Sequence, residues 1–204
     1  MINVSIAGIG GQGSVLAARI LAQAAEAKGW QVRSAETIGM AQRGGDVMSH
    51  VRMGNAGEEV FSPLPAKGTV DVLIALEPGE AARALPYLKE NGLLVVASTG
   101  IPPVMANFKR QTYDPQHLID DMQAAGVKMV VVDDAELVHR LGEPKALNVM
   151  MLAYAIIAVN KREDCVDNAL RGAITLEDIE AAIPLCVKRK LVSVNEKAIK
   201  VVQQ

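Results

Sequence analysis

Aromatic side chains are nearly missing from this chain: they make up 3% of its 204 residues, although half of all residues are hydrophobic. A core must then be assembled from Ala, Val, Leu, Ile and Met, the material of helices packed closely on a parallel sheet. Cysteine is equally scarce. Cys165 and Cys186 stand 21 residues apart, which offers no framework for a zinc or iron–sulfur site from this chain alone. Charge of one sign is lacking too. The formal balance is −2 and Lys and Arg form no long run, so no positive field gathers a polyanion and nucleic acid is not the expected partner. The most apolar stretch, Ala146 to Val159, contains Asn148 and falls short of the ~20 apolar residues that cross a bilayer. It reads as a buried helix. The first residues lack the basic stretch and cleavage site of a signal peptide, and the expectation is a cytoplasmic protein.

What is there reads as one α/β domain of ordinary size. Asn3 to Ala7 predicts a strand, Ser14 to Lys28 a helix with Leu16, Ile20 and Ala24 on one stripe, and Gln31 to Ala35 a second strand, together a β-α-β unit. Val47 to Met53 alternates, with Val47, Ser49, Val51 and Met53 on one face and Met48, His50 and Arg52 on a polar one. Val60-Phe61-Ser62 is a candidate for a short returning strand. Val70 to Leu76, a helix from about Gly79 to Glu90, and Leu93 to Ala97 resume the parallel pattern. Met105 to Tyr113 is a weak strand candidate, Pro115 to Ala125 a helix, and Val127 to Val132 the last strand.

Everything beyond reads as helix. Pro144 suits a first turn, and Thr175 with Asp178 three residues on forms an N-cap pair. Val187, Leu191, Val194, Ala198 and Val201 make an apolar stripe that needs the domain's own sheet or another subunit to cover it. The fold expected is a doubly wound, mostly parallel sheet with helices on both faces, residues 1–142, followed by a helical C-terminal extension, residues 143–204, within a single domain.

Gly8-Ile9-Gly10-Gly11-Gln12-Gly13 satisfies G-x-G-x-x-G between a strand and the helix that follows. Gly8 permits the tight turn, Gly10 lets backbone approach a bound anion, and Gly13 lets the helix pack on the strand. Free N–H groups and the helix dipole favour negative charge at Gly11 to Ser14. The plainer reading is a sharp turn and nothing more, with Ser14 a helix cap or solvent-exposed. A dinucleotide site also wants an acid about 20 residues on, to grip a ribose. Glu36 stands 23 residues beyond Gly13.

Three glycines follow in Thr37 to Asp46, an elaborate loop that a ribose does not need. Glu36 and Arg43 flank an exposed-looking Met40 and the amide of Gln42. Arg43 beside two glycines can offer its fork of donors to a carboxylate or phosphate, or it can pair with Glu36 and pin the loop.

Four segments together, G-I-G-G-Q-G at Gly8 to Gly13, E-T-I-G-M-A-Q-R-G-G at Glu36 to Gly45, S-H-V-R at Ser49 to Arg52 and D-V-L-I-A-L-E-P at Asp71 to Pro78, resemble the gamma subunit of 2-oxoacid:ferredoxin oxidoreductases. The wording G-M-A-Q-R-G-G and S-H-V-R is most similar to the indolepyruvate branch of that family. The resemblance covers the first 150 residues best. It implies an enzyme that decarboxylates a 2-oxoacid on thiamine diphosphate with Mg2+, sends electrons through [4Fe-4S] clusters to ferredoxin and passes the acyl group to coenzyme A. With no cysteine run and no metal-diphosphate signature here, the thiamine and the clusters are expected on partner subunits. This chain is expected to be inactive alone, to carry no catalytic residue or metal ligand, to contact coenzyme A through Gly8, Gly10, Gly11, Gln12, Gly13, Ser14, Glu36, Met40, Gln42 and Arg43, and to form a homodimer when isolated. The rival readings are a self-sufficient NAD(P)-dependent reductase and a scaffold subunit with no ligand.

His50, His117 and His139 are scattered without metal-ligand spacing. His50 on its polar strand face has the most functional potential of the three. Asp133 and Asp134 follow the last strand at a ligand-facing end or cap the helix after it. Glu77 and Pro78 end a strand at the same edge.

Overall fold

The computed structural model describes residues 1–39, 45–103, 112–161 and 170–204. Six strands form one sheet: β1 (Ile2–Ile9), β2 (Gln31–Ile38), β3 (Asp46–Gly54), β4 (Val70–Ala75), β5 (Leu88–Ala97) and β6 (Met129–Val132), in the order β2-β3-β1-β4-β5-β6. The strands β1, β4, β5 and β6 run parallel, and β3 is antiparallel to both β1 and β2. The sheet is therefore mostly parallel, with one reversed strand inserted.

That insertion corrects the simple β-α-β expectation. The first helix, α1 (Ser14–Ala27), does carry the chain from β1 to β2, but β2 lands two places away, and β3 fills the gap by pairing Val4 with Val51 on one side and Ser34 with Val51 on the other.

Both faces are covered. Val4, Ile6, Val51, Met53, Val72, Ile74, Leu93 and Val95 point into the larger core, where α1, α5 (Leu147–Lys161), α6 (Leu176–Cys186) and α7 (Arg189–Gln203) lie. Ala7, Leu73, Ala75, Leu94 and Val96 point the other way, toward α2 (Pro78–Ala84) and α3 (Pro115–Ala124). A further helix, α4 (Asp134–Leu141), contributes Leu137 to the larger core. Strands buried on both faces read as unbroken apolar runs, as in L-L-V-V-A at the end of β5. Each fully buried Ile or Leu, such as Ile6, Ile20 and Leu21, contributes about 1.5–3 kcal/mol by leaving water.

Local chemistry fixes the ends. α1 is alanine-rich and buries Ala17, Ala18, Ile20, Leu21, Ala24 and Ala25, a set small enough to lie close to the sheet. Pro86 ends the helical run that the sequence extends to Glu90: α2 stops at Ala84, a short 3-10 turn covers Leu85–Tyr87, and Lys89 already belongs to β5, ion-paired with Asp71 of the neighbouring strand. A register shift between Val70 and Val72 absorbs the extra length. α6 begins with a complete capping box, in which Thr175 and Asp178 each accept from the other's backbone N–H.

Other expectations fail for identifiable reasons. Val60 is buried, but its N–H donates to the Gln31 side chain, not to a strand, so Val60-Phe61-Ser62 forms none. In α7 the buried positions are Asn195, Ala198 and Ile199, and Leu191 is exposed. Of the predicted stripe, Ala198 is buried and Val187 and Val201 pack on the core, while Leu191 faces out; the covering surface is α4, α5 and α6 of the same chain, not the sheet. Pro144 opens a 3-10 turn, Pro144–Ala146, that leads into α5. The weak strand candidate from Met105 to Tyr113 falls outside the described residues except for its last two positions, which form no strand.

Candidate functional site

The glycine turn sits at the C-terminal end of β1, where parallel α/β sheets bind ligands. Gly8 does not make the tight turn: it is a buried residue of β1 paired with Val47, where a Cβ would lie 3.0 Å from Gln12 Oε1 and 3.2 Å from Leu76. Gly11 and Gly13 have φ of 101° and 86°, a left-handed backbone that glycine adopts without strain. Gly13 is the N-cap residue of α1, and no side chain caps that helix. Ser14 is therefore neither the cap nor solvent-exposed: it is the first helical residue and is buried.

Part of the turn is closed from inside. The Gln12 side chain folds back, its Oε1 accepting from Ile9 N–H at 2.7 Å and its Nε2 donating to the Leu76 carbonyl at 2.8 Å. Gln12 N–H donates to the Ile9 carbonyl at 3.0 Å. The amide of Gln12 thus splices β1 to the end of β4. Asn148, near the start of α5, donates from Nδ2 to the Gly13 carbonyl at 3.0 Å, while its own Oδ1 is buried without a partner among the described residues. The N–H groups of Gly11, Gly13, Ser14 and Val15 make no hydrogen bond among the described residues. Those of Ser14 and Val15 are free donors of the first turn of α1, and those of Gly11 and Gly13 belong to the turn that leads into it.

The second loop comes to the same place. Ile9 pairs with Asp46 and Ile38 with Val47, so the connection from β2 to β3 emerges beside the glycine turn. Gly10 N–H donates to the Gly45 carbonyl at 2.8 Å, and Gly39 N–H to the Asp46 carbonyl at 2.8 Å. Met40, Gln42 and Arg43 lie outside the described residues, but both flanks of their segment are tied to this edge.

Glu36 is not with them. It is exposed, opposite Ser49 on the face that carries α1, and two strand spacings, about 10 Å, separate its strand from β1. In a dinucleotide site the ribose-binding acid sits on the strand next to the glycine turn. Here β3 occupies that place, and an NAD-type site loses its ribose contact.

The neighbouring strand ends carry a buried polar group that the sequence only hints at. Glu77 caps α2: its Oε2 accepts from Glu80 N–H at 2.9 Å, and its Oε1 from Tyr113 OH and from Ile101 N–H. The Tyr113 oxygen in turn accepts from Gly79 N–H at 3.1 Å. Burial, then the adjoining Glu77 carboxylate, pushes the Tyr113 phenol well above its usual range. Burial also raises Glu80, against the pull of Arg83 at 3.1 Å. Asp133 caps α4 by accepting from Glu136 N–H, while Asp134 turns back to accept from Ser98 Oγ and Thr99 N–H. Asp133 is thus the cap, and the buried Asp134 ties α4 to the end of β5.

His50 corrects the polar-face reading. It is buried, hydrogen-bonded through Nδ1 to Ser5 Oγ at 2.8 Å, with its ring 5.7 Å from that of Tyr87. Burial lowers its pKa. It braces β1 against β3.

Sequence reasoning assigns no role at this edge to Asn148 or Tyr113. Asn148 carries a signal, an amide within the apolar stretch from Ala146 to Val159; Tyr113 carries none.

Comparison with known proteins fixes the lineage of this arrangement. The family model for pyruvate ferredoxin/flavodoxin oxidoreductase matches residues 3–204. The chain belongs to that family. Within it, the chain is 32% identical to the indolepyruvate oxidoreductase subunit IorB of Archaeoglobus fulgidus, over 98% of this chain and 92% of that one. Among solved structures it is similar to the gamma subunit of the keto/oxoacid ferredoxin oxidoreductase of Geobacter sulfurreducens PCA, with TM-score 0.66 at 23% identity over 99% of this chain and 96% of that one. It also matches 31% of the 2-oxoglutarate:ferredoxin oxidoreductase chain of Magnetococcus marinus, a structure with 2-oxoglutarate, coenzyme A and succinyl-CoA bound, with TM-score 0.69 at 15% identity over 99% of this chain. The two structural matches show a shared fold for this member of the family. Among the described residues, no helix is long and apolar enough to cross a membrane.

Proposed function

We propose that this chain is a gamma-type subunit of a thiamine-diphosphate-dependent 2-oxoacid:ferredoxin oxidoreductase in the cytoplasm, and that its glycine turn holds the pyrophosphate of coenzyme A. Residues 1–204 act as one unit, without catalytic activity alone. The thiamine diphosphate, Mg2+ and [4Fe-4S] clusters belong to partner subunits, which pass electrons to ferredoxin. The substrate class is an aryl 2-oxoacid such as indolepyruvate, a reading supported by the identity to IorB over nearly the whole chain. In isolation the chain pairs with itself.

The observation that carries the ligand reading is the row of unpaired N–H groups at Gly11, Gly13, Ser14 and Val15, beside a loop pinned to Gly10 through Gly45. An anion there gains several donors and the positive end of α1 together. In this reading Gly8, Gly10, Gly11 and Gly13 shape the backbone, Ser14 adds an N–H, and Met40, Gln42 and Arg43 come from the loop. Gln12 supports the turn from within, and Glu36 lies off to the side.

Calorimetric titration with coenzyme A and, separately, with NAD tests the proposal. Heat with coenzyme A and none with NAD is expected. Gly10→Ala sharpens the test: a Cβ at Gly10 would meet only Gly45 O at 3.6 Å, so the fold tolerates it while the methyl obstructs the approach of the anion. Coenzyme A heat that survives Gly10→Ala unchanged, or no heat at all, removes the ligand role and leaves an assembly subunit.

A further inference from the structure

The β2 edge carries two exposed charged side chains of opposite sign, Arg33 and Glu36. The strand has eight residues and pairs with β3 from Gln31 to Ile38 without a proline, a lysine or a bulge. Natural edge strands are blunted by such devices against pairing with another chain. Because Gly39 N–H points to Asp46 of β3, alternation in an antiparallel ladder turns the backbone groups of Ile38, Glu36, Ser34 and Val32 outward. Nothing among the described residues bonds to them.

The helix beside that edge is shaped to match. A groove of about 280 Å³ runs between α1 and β2, lined by Val15, Ala18, Arg19, Ala22 and Glu26 on the helix and by Ser34 and Glu36 on the strand. Ala18 and Ala22 are buried and form the floor of the groove, so the outward surface of α1 is made by Val15, Arg19 and Glu26. Arg19 and Glu26 are two helical turns apart on the exposed side, opposite in sign, and neither makes an ion pair among the described residues. Val15 and Ile38, 42% and 67% exposed, add apolar surface at the end of the same face.

We propose that the β2 edge and the α1 groove form a twofold interface between two copies of this chain. A single axis perpendicular to the sheet runs β2 antiparallel to its copy and joins the two six-stranded sheets. The same axis brings α1 antiparallel alongside its copy across the groove, which sets the exposed Arg19 of each copy toward Glu26 of the other. The sign pattern is self-complementary, as an isologous contact requires. This inference deepens the self-association part of the proposed function and is independent of the coenzyme reading, which calorimetry tests separately.

Light scattering on the full chain as it elutes from a sizing column decides it. The unaltered chain is expected at twice 21.7 kDa. Arg19→Glu is expected to weaken the dimer by about tenfold or more through like-charge contact, and adding Glu26→Arg to it to restore the dimer. Ser34→Pro removes an outward N–H only and is expected to give a monomer with an unchanged far-ultraviolet spectrum. If Ser34→Pro fails to fold, the charge reversal and its rescue still decide. An unaltered chain that stays monomeric overturns the proposal, as does a dimer indifferent to the charge reversal. A monomer whose edge is protected from hydrogen exchange only by the thiamine-bearing subunit overturns it too, and assigns the edge to that partner.

Discussion

Asn148 donates a hydrogen bond to the Gly13 carbonyl across 135 residues of chain, tying the buried helix α5 to the first turn of α1. Its amide lies so close that a Cβ at Gly13 would sit 2.7 Å from Nδ2. Gly13→Ala therefore combines a left-handed φ, about 1–2 kcal/mol, with displacement of Asn148. A loss above 2 kcal/mol is expected in urea unfolding. A loss under 1 kcal/mol would show that α5 yields freely at this point.

Gln12 makes a separable prediction. Gln12→Glu keeps an acceptor for Ile9 N–H but loses the donor to the Leu76 carbonyl, and should cost about 1–3 kcal/mol for a buried carbonyl left facing a carboxylate. A thermal melt of the variant beside Gln12→Ala checks it, with Gln12→Glu the less stable of the two at neutral pH.

Tyr113→Phe removes the hydroxyl that donates to Glu77 and accepts from Gly79 N–H. One buried carboxylate loses a donor and one amide loses an acceptor, so a destabilisation of about 1–3 kcal/mol is expected. Chemical denaturation measures it. An unchanged midpoint would mean that Ile101 and Glu80 N–H suffice for Glu77.

His50 predicts an acid-sensitive step. Burial holds its pKa below the ordinary 6.5, so the folded state disfavours the proton. The stability this represents is fully present above 6.5 and is lost as pH falls through the lower folded value. Melting temperature followed downward from pH 7 should begin to drop before the carboxylates titrate, and His50→Gln should remove that early part of the drop. Identical profiles would exclude His50.

The parallel half of the fold is legible because runs such as Val70 to Ala75 and Leu93 to Ala97 are short, rich in Val, Leu and Ile and bounded by Gly or Pro, which favours strands buried on both faces over helices. Capping at Thr175 and Asp178 was legible for a similar reason: the motif is local. What escaped the sequence is long-range. Alternation in Val47 to Met53 shows a strand with two kinds of face, but not that it inserts between β1 and β2 or that a helical turn at Leu85–Tyr87 covers its polar side and buries His50. The place of the glycine turn at the end of β1 is legible from its context. That Gln12 faces inward is not, since a glutamine in a loop gives no sign of which backbone groups lack a partner.

The reversed strand β3 has a consequence for how mutations in this family should be pooled. In a sheet without it, the turn after β1 and the loop after β2 would answer to separate strands and drift independently. With β3 between them, Gly10 and Gly45 share one hydrogen bond. Changes of length from Gly39 to Gly45 therefore pull directly on the start of α1, and such insertions should survive only with compensating changes in the turn.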